Sequence, residues 1–121
     1  MEITDFEKAQ ARFEEMAKPC YSANTVEYLG KGIRELVRLG KTTWEKLGFT
    51  DKDVEKRILH AKIRCAKEEF SEMLNSRYSA YTVQTFADKI RHLVSSKQAT
   101  WEELGFTGAE VERRLVIAKE R

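Results

Sequence analysis

The sequence predicts an all-α fold built as two tandem three-helix repeats of about 57 residues that share a long central helix. Composition is the first reason: Ala, Glu, Lys, Leu and Arg make up 58 of 121 residues, whereas Gly and Pro together make up seven. That balance suits long helices and lacks the turn residues a sheet-rich domain needs. Self-similarity is the second. At an offset of 57 positions, residues 7–64 match residues 64–121 at 26 of 58 sites, peaking at Thr43-Trp44-Glu45 and Leu47-Gly48-Phe49-Thr50 against Thr100-Trp101-Glu102 and Leu104-Gly105-Phe106-Thr107. Periodicity is the third, because apolar residues recur at steps of three and four, the spacing of one helical face.

The first helix is expected from Phe6, Ala9, Phe13 and Met16, and to end at Lys18-Pro19, since a residue before proline avoids the α region. A second helix is expected to start near Thr25, with Val26, Leu29, Ile33, Leu36 and Val37 facing inward and Gly40 as its stop; Val83, Phe86, Ile90, Leu93 and Val94 are the counterparts. Thr43 to Leu47 reads as one capped turn closed by Gly48, and Thr50 with Asp53 as a capping-box-like start for a third helix, with Phe49 and Phe106 packing back on the turn that follows. From Thr50 to about Asn75 there is no Gly or Pro. Leu59, Ile63, Ala66, Phe70 and Met73 form one stripe there, and Val54, Ile58, Ala61 and Cys65 a second. The third helix of repeat one (about 5–62) is therefore expected to continue as the first helix of repeat two (about 63–121), a rod of about 36 Å that would fix the repeats within one helical domain, residues 1–121.

Charge and residue chemistry narrow the function classes. The 22 basic and 20 acidic residues nearly cancel, so any electrostatic recognition has to be local. The N-terminal residues are acidic, and no apolar stretch approaches the about 18–20 residues of a membrane span, so neither secretion nor insertion is expected. Cys20 and Cys65 have no close Cys or His neighbours; they read as reduced thiols of a cytoplasmic protein, with no metal and no cofactor. His60 and His92 are not shared between the repeats, and no Gly-rich phosphate loop occurs. No catalytic residues are assigned, and the chain is expected not to be an enzyme.

Two short resemblances bear on partners. Trp44-Glu45-Lys46-Leu47-Gly48-Phe49-Thr50 followed by Val54, and again Trp101 to Thr107 followed by Val111, resembles the turn of helix-turn-helix proteins, although Trp stands where that family usually has Ala. The resemblance implies DNA binding through the turns at 43–57 and 100–114. Its reading positions would be Asp51, Lys52, Glu55 and Lys56, then Gly108, Ala109, Glu112 and Arg113, where acids meet phosphates unfavourably. Lys31, Arg34, Arg38 and Lys41, at steps of three and four, would supply a basic face. The Leu-Gly-Phe run also resembles the Met-Gly-Phe loop of ubiquitin-associated domains, which implies a three-helix module binding protein partners.

The reading preferred from the sequence is a non-enzymatic adaptor, regulator or inhibitor that binds a protein partner through duplicated helical surfaces, with DNA-binding regulation as the alternative and homo-oligomerisation compatible with either. Two similar surfaces raise avidity for a repeated or dimeric partner. The expected partner-binding residues are the large or polar ones kept in both repeats: Tyr21 and Tyr78, Arg34 and Arg91, Trp44 and Trp101, Arg57 and Arg114, Lys62 and Lys119.

Overall fold

In a computed structural model that describes residues 4–121, 72% of those residues are helical and no strand occurs among them. The helices are α1 (Asp5–Glu15), α2 (Ala23–Arg38), α3 (Trp44–Leu47), α4 (Asp51–Glu72), α5 (Ala80–Ser95), α6 (Trp101–Leu104) and α7 (Gly108–Lys119). None of them is long and apolar enough to cross a membrane. The chain divides into two units, one ending at Ala61 and the other running from Lys62 to Arg121.

Hydroxyl caps set most helix starts, as the Ser and Thr positions predict. Thr43, Thr100 and Thr107 each accept from the backbone N–H three residues on, which satisfies a donor that the first turn cannot. Thr50 and Asp53 make the reciprocal pair: Thr50 N–H donates to Asp53 Oδ2 at 2.9 Å, and Asp53 N–H to Thr50 Oγ1 at 3.3 Å. Two boundaries differ from expectation. α2 starts at Ala23 rather than near Thr25, because Ser22 supplies the capping oxygen to the Thr25 N–H; Ser79 does the same for Thr82. α1 ends at Glu15, three residues before Lys18, its last carbonyls closed by turns at Ala17 and Lys18. α4 runs unbroken for 22 residues, about 33 Å at 1.5 Å per residue.

In the first unit, Ala9 of α1 and Met16 just after it, Val26 and Ile33 of α2, Leu47 of α3 and Val54, Ile58 and Ala61 of α4 form the core. α2 comes so close at Gly30 that an added Cβ would lie 3.0 Å from Ile58 Cδ1 and 3.1 Å from Val54 Cγ1. The second unit buries Phe70 of α4 and Met73 just after it, Val83, Ala87, Ile90 and Leu93 of α5, Leu104 and Phe106, and Val111, Leu115 and Ala118 of α7. Here Ala87 stands 57 positions after Gly30 and is fully buried, so the second core has room for the methyl group. The turns after α2 and α5 need a left-handed residue: Gly40 provides it at φ 75°, whereas Lys97 takes the same conformation at φ 64° despite its side chain.

An arginine–aromatic joint closes each unit. In the first, the Phe13 and Phe49 rings stack at 3.8 Å between centroids, Trp44 meets Phe49 edge-on at 6.0 Å, and the Arg57 guanidinium lies 3.6 Å from the Phe13 centroid while donating to the Phe13 carbonyl at 2.5 Å. In the second, Phe70 and Phe106 stack at 3.8 Å, Trp101 meets Phe106 at 6.1 Å, and Arg114 lies 3.7 Å from Phe70 and donates to its carbonyl at 2.6 Å. Phe49 and Phe106 thus stack on Phe13 and Phe70, far away in sequence, and such aromatic pairs add to the stability that burial of their area alone provides.

Two stability predictions follow from these contacts. Arg57→Ala removes a cation–π contact and leaves the Phe13 carbonyl without its donor, so unfolding free energy should fall by about 1–3 kcal/mol in urea titrations followed by tryptophan fluorescence. Thr42 is 3% exposed and its hydroxyl has no hydrogen-bond partner, while Ala99 occupies the corresponding buried place in the second unit. Thr42→Ala should therefore stabilise by about 0.5–1 kcal/mol, seen as a higher thermal midpoint.

Candidate functional site

The residues expected to bind a partner are largely spent inside their own units. Arg57 and Arg114 hold the joints just described. Trp44 and Trp101 are half-buried and packed against the two cores. Arg34, from α2, reaches the start of α4: its Nε donates to Asp51 Oδ1 at 2.6 Å and its Nη2 to Glu55 Oε2 at 2.8 Å. The Glu55 contact, more than that of Asp51, keeps the guanidinium charged beyond its usual range. In the second unit Arg91 of α5 pairs with Glu112 of α7, and Gly108 stands where Asp51 would be.

The shared tyrosines and lysines behave differently from one another. Tyr21 donates to Glu15 Oε2 at 2.5 Å, and the same carboxylate accepts from Lys18 Nζ at 2.7 Å. Lys18 first and Tyr21 second hold the Glu15 carboxyl below its ordinary range. Tyr78 instead accepts from Arg77 at 3.0 Å and sets its ring edge-on to Phe86 at 5.5 Å. Lys62 donates to Gln98 Oε1 at 2.8 Å, and Lys119 is exposed. Of the basic face considered for nucleic acid, Lys31 and Lys41 are exposed, but Arg34 faces Asp51 and Glu55, and Arg38 faces Glu35, with Arg38 Nε 2.9 Å from Glu35 Oε2. Half of that face is thereby neutralised.

Identity between the copies did not point to the large apolar side chains that solvent reaches. Tyr28 on α2 is 73% exposed and Tyr81 on α5 is 82% exposed, and Leu39, Leu74, Val116 and Ile117 are also open. Their signal was divergence: Tyr28 corresponds to Thr85, and Tyr81 to Asn24. Tyr28 also sits off the inward stripe of Val26, Leu29 and Ile33.

Reactive groups are dispersed. Cys20 is exposed and Cys65 half-buried, both as free thiols, and His60 and His92 are exposed. Among the described residues no three His, Cys, Asp or Glu side chains gather as metal ligands would. No family model matches the chain, and neither does any curated protein or solved structure.

Glu69 of α4 shifts in the opposite direction from Glu15. Partial burial raises its pKa, and Lys89 of α5, 3.8 Å away, opposes the shift without overcoming it. Because the folded state holds this proton more tightly than the unfolded state, stability falls as pH rises from the ordinary carboxylate range through the raised folded value. Glu69→Gln should therefore be more stable than the wild type at pH 7. That advantage should disappear at pH 3, where the wild-type carboxyl is protonated in both states; paired thermal melts at the two pH values check the sign.

Proposed function

We propose that this chain is a non-enzymatic binding protein of adaptor, regulator or inhibitor type. It engages a protein partner through helical surfaces carried by two tandem three-helix repeats of about 57 residues, joined in one domain through the long helix they share. The reducing, cytoplasmic type of compartment is inferred from the two unpaired thiols.

The observation that carries this reading is the pair of exposed tyrosines, Tyr28 and Tyr81, one on the second helix of each unit. An aromatic ring left in water keeps its apolar surface available for association, and its hydroxyl can be satisfied at a wet rim. Tyrosine is accordingly enriched among residues that dominate protein interfaces. The residues kept in both copies support the reading indirectly: they hold the units together, so each tyrosine stands on a rigid helix that loses little freedom on binding. DNA binding by the helix-turn-helix-like turns is the competing reading, and it has less support because Asp51 and Glu55 sit at the start of the helix that would read the bases and Arg34 and Arg38 already face carboxylates.

Affinity capture from the native host, comparing the wild type with the Tyr28→Ala, Tyr81→Ala double variant, tests it. Circular dichroism should be unchanged in the variant, and a specific protein retained by the wild type should bind the variant about tenfold or more weakly. Equal capture by both chains overturns the reading. Titration of Trp44 and Trp101 fluorescence with duplex DNA decides the competitor: tight binding that falls steeply with salt would put nucleic acid in place of the protein partner.

A further inference from the structure

The start of α4 separates its charges by face. Its acids are all engaged within the unit: Asp51 and Glu55 accept from Arg34, and Asp53 accepts from the Thr50 backbone and, at 3.1 Å, from its hydroxyl. Lys52, Lys56 and His60, at successive steps of four, are exposed, and none of them has a carboxylate within ion-pair distance among the described residues. Steps of four place three side chains in one row with about 6 Å of axial rise between neighbours. The row is thus a line of unanswered donors on a helix whose own acids are turned to other work.

The second unit supplies an internal comparison. Along α7 the corresponding positions are Ala109, Arg113 and Ile117, whereas the buried Val54, Ile58 and Ala61 correspond to the buried Val111, Leu115 and Ala118. The inward face is kept in kind, while the outward row changes at two of its three positions: Arg113 keeps the charge of Lys56, but Ala109 and Ile117 stand in place of Lys52 and His60. Folding alone does not require Lys52, Lys56 and His60, since α7 forms without them.

We infer that the row Lys52, Lys56 and His60 docks an acidic segment of the protein partner, a helix carrying carboxylates at every fourth position; the inference rests on the protein-partner reading above. A partner helix of that pattern repeats its charges at the same axial interval, so three contacts form in register. A nucleic acid fits less well. The two lysines would displace few counterions and give a salt slope of only about −1.8, too shallow for useful binding to phosphate backbone alone.

The test uses the full chain and an alanine-based helical peptide of about 20 residues with Glu at every fourth position, titrated at low salt. Lys52→Glu with Lys56→Glu should weaken binding about tenfold, while Lys31→Glu on α2 with Lys41→Glu in the turn beyond it, the same change of net charge, should leave it within about twofold. Equal weakening by both pairs would overturn the inference, because it would mean that only overall charge matters. Absence of peptide binding, or displacement of the peptide by duplex DNA at equal charge concentration, would overturn it too. Either failure leaves the tyrosine experiment intact, so the two readings fall separately.

Discussion

Each unit depends on one long-range contact: an arginine from its last helix that reaches a phenylalanine 44 residues earlier and takes both the ring and the backbone carbonyl. Arg57 and Arg114 end the path of their units by returning to where it began. A guanidinium suits this task better than an ammonium, because its planar face stacks on the ring while one edge still donates a hydrogen bond. The stacked phenylalanine and edge-on tryptophan extend the contact to the single-turn helix before the arginine's own helix. Three elements are thereby fixed by one side chain and three rings.

That arrangement explains how the fold could be read from the sequence more fully than the site. Spacing of Val26 and Ile33, or of Val83, Ile90 and Leu93, places them inside because burial follows helical period, and all five are buried. Start residues were harder. Ser22 and Thr25 both carry hydroxyls able to cap, and only the backbone geometry at Ser22, extended at ψ 162°, decides between them. The stacking of Phe49 on Phe13 is invisible to local pattern, since it joins residues 36 positions apart in sequence.

The candidate site was obscured by the duplication itself. Large polar or aromatic residues present in both copies attract attention as binding groups, yet Arg34, Arg57, Trp44 and their partners are retained because a unit needs them to close. A surface that meets a partner is under no such internal demand. Exposed positions do differ between the copies: Tyr28 corresponds to Thr85, and Lys52 and His60 to Ala109 and Ile117.

The glycines of α2 have an energetic meaning beyond their close packing. Gly30 and Gly32 stand in the middle of a 16-residue helix, where each costs roughly 1 kcal/mol relative to alanine, whereas α5 has Ala87 and Lys89 at those places. The helix that carries Tyr28 thus depends more on packing, and less on intrinsic propensity, than the one that carries Tyr81. Close packing at Gly30 must therefore offset a backbone penalty in the first unit that Ala87 spares the second.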